Sequence, residues 1–243
     1  MDPLVRADGL GKSFGPVAAV SELSFAIAPG EVVGLLGPNG AGKTTTLKLL
    51  LGLLRPSAGS ASVLGLDCTE AARAVKSRLG YCPDEPAFHT FLTGRETLAF
   101  VCAVRGIDPV ASVAALTPLI DVLDFGPQLD VYTANYSHGM KKKLALLAAL
   151  VHDPRVLLLD EPTNGLDPPT AHRVRELLLG KARAGAAILV STHLLDMADR
   201  LCDRVLVLHK GRLVAEGTPA DVRARAGLPP ESSLEDAFLR LVA

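Results

Sequence analysis

The chain has 243 residues, 49% of them hydrophobic and 21% charged, and its 25 basic and 26 acidic side chains give a formal net charge of −1. This length and apolar content can supply the core of one large domain or two small lobes without disulfide bonds. A charge near zero provides no basic field for nucleic acid and no electrostatic attraction to a lipid surface, so we expect no nucleic-acid partner.

Cysteine usage and hydropathy indicate a protein of the reducing cell interior. The cysteines have no metal-ligand spacing and are best explained as buried, reduced thiols. They are Cys68, Cys82, Cys102 and Cys202. No apolar run approaches the ~20 residues needed to span a bilayer. The charged start of the sequence, Met1 to Asp8, does not have the pattern of a secretory signal, so we expect the protein to stay inside the cell.

The first third of the chain alternates between short strands and turns. Alternating apolar residues from Leu4 to Ile27 predict a small antiparallel sheet. The apolar run Val32 to Leu36 predicts a buried strand, which a glycine-rich loop connects to a helix from Lys43 to Leu54. Two more short strands are predicted, at Ser60 to Leu64 and at Arg78 to Cys82.

The loop between that strand and that helix reads Gly-Pro-Asn-Gly-Ala-Gly-Lys-Thr. Its glycines leave backbone N–H groups free to converge on a polyphosphate, and the helix directs the positive end of its dipole at the same charge. Lys43 would reach the terminal phosphates and Thr44 would ligate Mg²⁺. A chance turn ending in Gly-Lys-Thr is the weaker interpretation, because a strand and a helix flank the loop as this motif requires. The predicted triphosphate-binding residues are Gly37, Pro38, Asn39, Gly40, Ala41, Gly42, Lys43, Thr44 and Thr45.

Residues 93–152 carry a helical pattern that we interpret as an inserted helical lobe. Its predicted helices are Gly94 to Val104, Val110 to Leu123 and Ser137 to Val151. The predicted catalytic lobe consists of residues 1–92 and 153–243.

Strands and helices alternate again in the last part of the chain, which implies a mostly parallel sheet with covering helices. The predicted strands are Val156 to Leu159 and Ile188 to Val190. The predicted helices run from Pro168 to Gly185 and from Leu194 to Leu201. A predicted hairpin, Val205 to Leu208 with Leu213 to Glu216, precedes a last helix, Leu234 to Val242. We therefore predict an α/β fold with a P-loop NTPase core, an N-terminal antiparallel β subdomain and an inserted α-helical subdomain.

Polar residues follow two of these strands where α/β proteins bind their ligands. Asp160 would hold Mg²⁺ through water, and Glu161 could accept a proton from the water that attacks the γ-phosphate. His193 follows the neighbouring strand and should emerge at the same edge, within reach of that phosphate. Each residue alone could be a solvated strand end or a helix cap, but the phosphate loop upstream favours the functional interpretation.

Tyr136-Ser137-His138-Gly139-Met140 opens the third predicted helix, with Ser137 as an ordinary N-cap. Lys141 to Lys143 place three cations in its first turn, where they oppose the helix dipole and would favour a bound anion. A solvated face remains the favoured interpretation of the lysines themselves.

Taken in order, these motifs resemble the ATP-binding subunit of an ABC transporter along the whole chain. The resemblance is carried by Phe14, the phosphate loop, the Ser-His-Gly-Met segment, the run from Leu157 to Pro168 and the strand that ends at His193.

This resemblance implies the ABC ATPase fold and specific roles for four more residues. Phe14 would stack on adenine, Ser137 and Gly139 would bind the γ-phosphate of ATP held by a second subunit, and Asp167 would lie at the dimer interface. It implies two such chains, identical or different, closing head to tail around two ATP molecules and acting on a multi-spanning permease at the inner face of the membrane.

Two positions depart from the family pattern. His138 takes the place of the first glycine after the serine, which adds bulk near the phosphate. Asp84 replaces the usual glutamine, and as a shorter anionic residue it could contact Mg²⁺, although Glu85 could equally substitute for the glutamine. These departures, with Thr93 to Leu98 and Ser233 to Phe238, resemble export-type ATPases that pair with separately encoded permeases.

The sequence thus predicts an ATPase that dimerises on ATP and powers export, with Lys43, Glu161 and His193 as its catalytic residues. Three alternatives remain: a permease-independent ABC ATPase acting on ribosomes or DNA, a binding module that ATP only gates, and a simple nucleotide kinase. The segment after His193 is short for the extra regulatory domain of many sugar-importer ATPases, so we expect none.

Overall fold

The computed structural model describes residues 2–242, which form two sheets with helices around the larger one. The strands are β1 (Val5–Phe14), β2 (Val17–Ile27), β3 (Val32–Leu36), β4 (Ala58–Val63), β5 (Leu66–Asp67), β6 (Gly80–Cys82), β7 (Val156–Asp160), β8 (Ala187–Thr192), β9 (Arg204–His209) and β10 (Arg212–Gly217). The α-helices are α1 (Lys43–Leu50), α2 (Ala72–Arg78), α3 (Gly94–Arg105), α4 (Pro109–Ala115), α5 (Thr117–Val122), α6 (His138–Leu150), α7 (Pro168–Arg183), α8 (Leu195–Leu201), α9 (Pro219–Arg225) and α10 (Leu234–Val242).

The smaller sheet is antiparallel and confirms the prediction made from the alternating start of the sequence. Its strand order is β2-β1-β4-β5. Leu23, Phe25 and Ile27 are buried on one face of β2, whereas Ser24 is exposed on the other. Because alternate side chains of a strand point to opposite faces, this pattern covers one side of the sheet with core residues.

The larger sheet has the order β10-β9-β3-β8-β7-β6, in which every neighbouring pair is parallel except the β9–β10 hairpin. The carboxyl ends of β3, β7 and β8 therefore meet at one edge. In particular, Asp160 at the end of β7 lies opposite Ser191 of β8. This register brings the residues that follow β7 and β8 next to the loop that follows β3.

Two hydrophobic clusters cover the two faces of the larger sheet. Along β7, Val156 and Leu158 belong to the cluster shared with the smaller sheet and α1, whereas Leu157 and Leu159 belong to the cluster shared with the helices on the opposite face. A strand that is buried on both faces has a sequence of consecutive apolar residues. This explains why β7 carries no polar residue before Asp160.

Two predicted helices differ clearly from the observed ones, one in its end and one in its continuity. The helix after the phosphate loop stops at Leu50, not Leu54, because Gly52 turns the chain with φ +62°. The predicted helix from Val110 to Leu123 is wrong as one element, since it is divided between α4 and α5 at Leu116. Pro118 has no N–H for the carbonyl of Ala114, which instead accepts the Thr117 hydroxyl at 2.8 Å.

The prediction that strand β6 begins at Arg78 is also wrong, because Arg78 is the last residue of helix α2. Between β6 and β7 the described chain is mainly helical, as expected for the block 93–152. The lobe boundaries at residues 92/93 and 152/153 stay predictions. All four cysteines are free and buried, in agreement with the sequence.

No single helix among residues 2–242 is long and apolar enough to cross a membrane, and one bent pair, α3 with α4 at 120°, reaches that length and composition only together.

Candidate functional site

The loop from Gly37 to Gly42 has a backbone path that glycine makes possible. Gly40 and Gly42 adopt φ of +81° and +106°, and a Cβ on Gly42 would collide with the carbonyl oxygen of Ala19. A Cβ on Gly37 would lie 2.6 Å from the carbonyl oxygen of Leu208. Gly42 caps α1 without a side-chain hydrogen bond, so the first N–H groups of this helix remain available to an anion.

Lys43 lies under this loop with its side chain folded back along it. The ammonium donates hydrogen bonds to the carbonyl oxygens of Gly37 at 2.6 Å and Pro38 at 3.2 Å. Burial lowers the pKa of Lys43, and the carboxylates of Glu161 and Asp160 oppose that effect. The ammonium is therefore held against the loop, and the nearby carboxylates favour its charged form.

Thr44 and Asp160 lie together at the start of α1 and the end of β7. The hydroxyl of Thr44 donates to Asp160 Oδ2 at 3.0 Å, and Ser191 donates to the other carboxylate oxygen. Asp160 is buried. A hydroxyl and a carboxylate form the hard oxygen donor set that Mg²⁺ prefers, so these two residues fit such an ion.

Glu161 and His193 also form a pair, as the parallel arrangement of β7 and β8 predicts. Glu161 Oε1 accepts hydrogen bonds from the backbone N of His193 at 2.9 Å and lies 2.7 Å from His193 Nδ1. Glu161 Oε2 accepts from the Thr192 hydroxyl at 2.9 Å. The backbone of Glu161 has φ +47°, an unusual conformation for a non-glycine residue that recurs at functional sites.

Phe14 lies next to the phosphate loop, at the surface of the protein. A surface cavity of about 330 Å³ is lined by Phe14, Ala19 and the residues from Pro38 to Thr45. The Phe14 ring is 49% exposed, and the ammonium of Lys12 lies 5.3 Å from its centroid. An exposed aromatic face beside a phosphate-binding loop can stack on a flat base.

Ser137, Gly139 and Asp167 do not line this cavity and form a second group. Ser137 caps α6 by accepting a hydrogen bond from the N–H of Met140 at 3.2 Å. Asp167 caps α7, and its hydrogen bonds from the hydroxyl and backbone N–H of Thr170 lower its pKa. Ser137 and Asp167 are exposed, so a second molecule could reach both.

The departure at His138 is accommodated by contact with the loop that follows Glu161. The His138 ring packs so closely on Gly165 that a Cβ at position 165 would overlap it, and a Cβ on Gly139 would lie 2.9 Å from the carbonyl oxygen of Gly165. Gly165 has φ +75°. The extra bulk of His138 therefore lies against Gly165 within the same chain.

The solvated interpretation of Lys142 is wrong, since this side chain is completely buried. Its ammonium donates to the backbone carbonyl oxygens of Asp84 at 2.6 Å, Pro83 at 3.0 Å and Asp160 at 3.3 Å. The sequence contained a signal for this burial. Lys142 lies four residues before Leu146 on α6, on the face that packs into the core.

Asp84 is held by two side chains. Its Oδ1 lies 3.5 Å from the Lys142 ammonium and accepts from Asn164 Nδ2 at 3.2 Å. Glu85, the alternative at this point of the sequence, is exposed. The network therefore includes Asp84, although its role toward Mg²⁺ stays a prediction.

The sequence comparisons all identify the same kind of protein. The family model described as "ABC transporter" matches residues 20–164. The chain is 43% identical over 208 residues to the Nod factor export ATP-binding protein I of Burkholderia orbicola, covering 86% of this chain and 68% of that protein. It is 35% identical over 243 residues to the probable multidrug ABC transporter ATP-binding protein YbhF of Escherichia coli, covering 99% of this chain but 42% of that protein.

Solved structures give the same picture. A structure described as the ATP-binding subunit of an ABC transporter superposes with a TM-score of 0.91 at 32% identity, covering 98% of this chain and 99% of the other. CbiO1 from Clostridium perfringens, described as part of the transporter complex cbiONQ, superposes with a TM-score of 0.78 at 28% identity, with 92% of each chain covered.

Proposed function

The chain belongs to the ABC transporter family and is an ATP-binding subunit of that family, and from this premise we propose that it hydrolyses ATP between two subunits to power export through a separate membrane permease. One observation carries the proposal. The Thr44–Asp160 pair and the Glu161–His193 pair lie side by side at the sheet edge that the phosphate loop occupies.

ATP binding is proposed for the cavity lined by Phe14 and the phosphate loop. The loop amides and the N-terminus of α1 bind the phosphates, Lys43 supplies a positive charge and Phe14 stacks on adenine. Thr44 and Asp160 are the proposed holders of Mg²⁺, and Asp84 is a further candidate. When bound, this ion would neutralise charge on the phosphate oxygens.

Hydrolysis is proposed to depend on the carboxylate of Glu161. Because Thr192 and His193 fix its two oxygens, the carboxylate is oriented before substrate arrives. It accepts a proton from the attacking water, while His193 uses its remaining ring nitrogen to contact the γ-phosphate. His193 Nδ1 is directed at Glu161, which leaves Nε2 for that contact.

A second subunit is proposed to complete each site. Ser137, Gly139 and Asp167 lie outside the cavity of their own chain, and the exposed tip of α6 offers backbone N–H groups to an anion. A second copy placed head to tail would bring this tip to the γ-phosphate. The complete set of residues in one chain permits a homodimer.

The permease is proposed to bind where the helical block 93–152 adjoins α2 and to hold the protein at the inner face of the membrane. A cleft of about 780 Å³ between α2 and α3 contains the exposed Phe100 and Val104 beside the cationic Arg73 and Lys76. An apolar cleft with a charged rim is typical of a protein-binding surface. Export is favoured because the relatives include a Nod factor export protein and a probable multidrug transporter subunit.

The decisive variant is Glu161→Gln, which keeps the shape of the side chain but cannot accept a proton. We expect kcat to fall by about 10²–10⁴-fold, ATP affinity to change little, and an ATP-bound dimer to persist. Phosphate release, binding of a fluorescent ATP analogue and size-exclusion chromatography measure these effects. The exposed Glu70→Gln is the matched control and should behave like the wild type.

Undiminished turnover of Glu161→Gln would remove this residue as the base. A wild-type protein that binds no ATP would refute the proposed function as a whole. Hydrolysis that remains undetectable both alone and with a permease would favour the ATP-gated binding module instead.

A further inference from the structure

Lys142 is a buried cation for which the proposed mechanism has no use. Its side chain has no exposed surface, although transferring an uncompensated ammonium from water to a protein interior is highly unfavourable. Three backbone carbonyl oxygens accept from it, which matches the three donors of an ammonium group. The remaining compensation comes from the carboxylate of Asp84 at 3.5 Å.

These contacts join three separate parts of the molecule. Lys142 belongs to α6, Asp84 lies just beyond the edge strand β6, and the carbonyl of Asp160 ends β7. From Asp84 the network continues to Asn164, whose side chain donates to Asp84 and whose backbone N–H donates to the carbonyl of Glu161 at 3.1 Å. The proposed base is therefore held on both sides, through Asp160 and through Asn164.

Charge also connects Lys142 to the catalytic carboxylates. The positive charge of Lys43 is attracted by Glu161, Asp160 and Asp84, so all three carboxylates act on one small region. Without a cation at position 142, Asp84 would add an unpaired negative charge beside the other two. The side chain of Asp84 is 41% exposed, so water screens part of this charge, but its cationic partner at 3.5 Å would be lost.

We propose that Lys142 is a positioning residue for ATP hydrolysis, which neutralises Asp84 and, through Asp84, Asn164 and the carbonyl of Asp160, fixes the turn that carries Glu161. This inference rests on the proposed ATPase function. It also explains why the sequence can have an anion at position 84, because the cation of Lys142 accompanies it.

The test is a double-mutant cycle made of Lys142→Met, Asp84→Asn and the double variant, with Lys48→Met, at an exposed lysine of α1, as the control substitution of the same kind. Lys142→Met should lower kcat by about 10-fold or more, while KM for ATP stays within about threefold. Asp84→Asn should restore at least about threefold of that loss in the Lys142→Met background, because the unpaired charge is removed. If Lys142 only stabilised the fold, kcat per folded molecule would be the same in all of these variants, and that outcome would overturn the inference.

Retention of wild-type kcat by Lys142→Met, or losses that merely add in the double variant, would overturn the inference. The cycle is repeated on the melting temperature of the nucleotide-free protein, which needs no turnover. Lys142→Met leaves three backbone carbonyls without their donor and should melt on the order of 10 °C below Lys48→Met, and Asp84→Asn should restore part of the difference. If Lys142→Met does not fold, recovery of folding in the double variant supports the inference and its absence overturns it. A wild type that hydrolyses no ATP while the melting cycle shows coupling would refute the proposed function alone.

Discussion

Acid is expected to destabilise the protein through His152, a histidine in the short connection between α6 and β7. His152 Nε2 lies 3.1 Å from the carbonyl oxygen of Leu79 and 3.0 Å from Arg105 Nη1. Its Nδ1 is buried and has no hydrogen-bond partner among residues 2–242. Burial, assisted by the positive charge of Arg105, lowers the pKa of His152 from 6.5 to about 4.

The sign and size of the effect follow from proton binding. Between pH 6.5 and about 4 the unfolded chain protonates this histidine, whereas the folded chain does not. The free energy of unfolding therefore falls as the pH drops through this window, and His152 has no such effect above it. A shift of this size corresponds to about 3 kcal/mol for a fully buried group, and since His152 is partly exposed we expect about 1–2 kcal/mol.

Urea unfolding at about pH 7 and about pH 4.5 measures the change. His152→Gln cannot be protonated, so its free energy of unfolding should fall about 1–2 kcal/mol less than that of the wild type over the same interval. His172→Gln, at an exposed histidine of α7, should leave the wild-type dependence in place. If His152→Gln and the wild type lose the same free energy, the burial argument for His152 is refuted.

Two further variants test the phosphate site and the His138 contact. Thr44→Val removes the hydroxyl that lies 3.0 Å from Asp160 Oδ2. Turnover should fall about 10-fold or more, and a higher Mg²⁺ concentration should be needed for half-maximal phosphate release. If the Mg²⁺ concentration needed is unchanged, Thr44 is not a metal ligand. Gly165→Ala should lower the free energy of unfolding by about 2–4 kcal/mol because the new methyl group meets the His138 ring at a positive φ. Gly185→Ala is the control, because Gly185 also has a positive φ, +97°, but no described atom lies within 4 Å of the new Cβ. Its free energy of unfolding in urea should fall by only about 1 kcal/mol. Equal losses in the two variants would mean that the His138 ring does not restrict position 165.

The fold could be predicted where helices and strands bury whole faces. The parallel sheet, the antiparallel sheet and the long helices all follow from apolar periodicity. Helix α2 was missed because it buries only Val75 and therefore shows no apolar stripe. Helix α9 was also missed, although Thr218 and Asp221 form a capping box that could have identified it.

The candidate site could be predicted up to the pairing of its side chains. Residues at the ends of neighbouring parallel strands must meet, so Glu161 and His193 could be placed together from the sequence. The contacts of Lys142 with the segment after β6 could not, because they depend on how α6 packs against the edge of the sheet. Only the helical periodicity of α6 indicated that this lysine was buried.

The strand order of the larger sheet holds the central strand β3 by more hydrogen bonds than the edge strand β6. β3, which carries the phosphate loop, is paired along its length with β8 and β9, whereas the three-residue β6 is paired only with β7. Shifting β6 breaks few interstrand bonds, while shifting β3 would break two ladders at once. The segment that carries Asp84 therefore depends on the side chain of Lys142 for its position, whereas the strand beneath the nucleotide loop is held by the sheet itself.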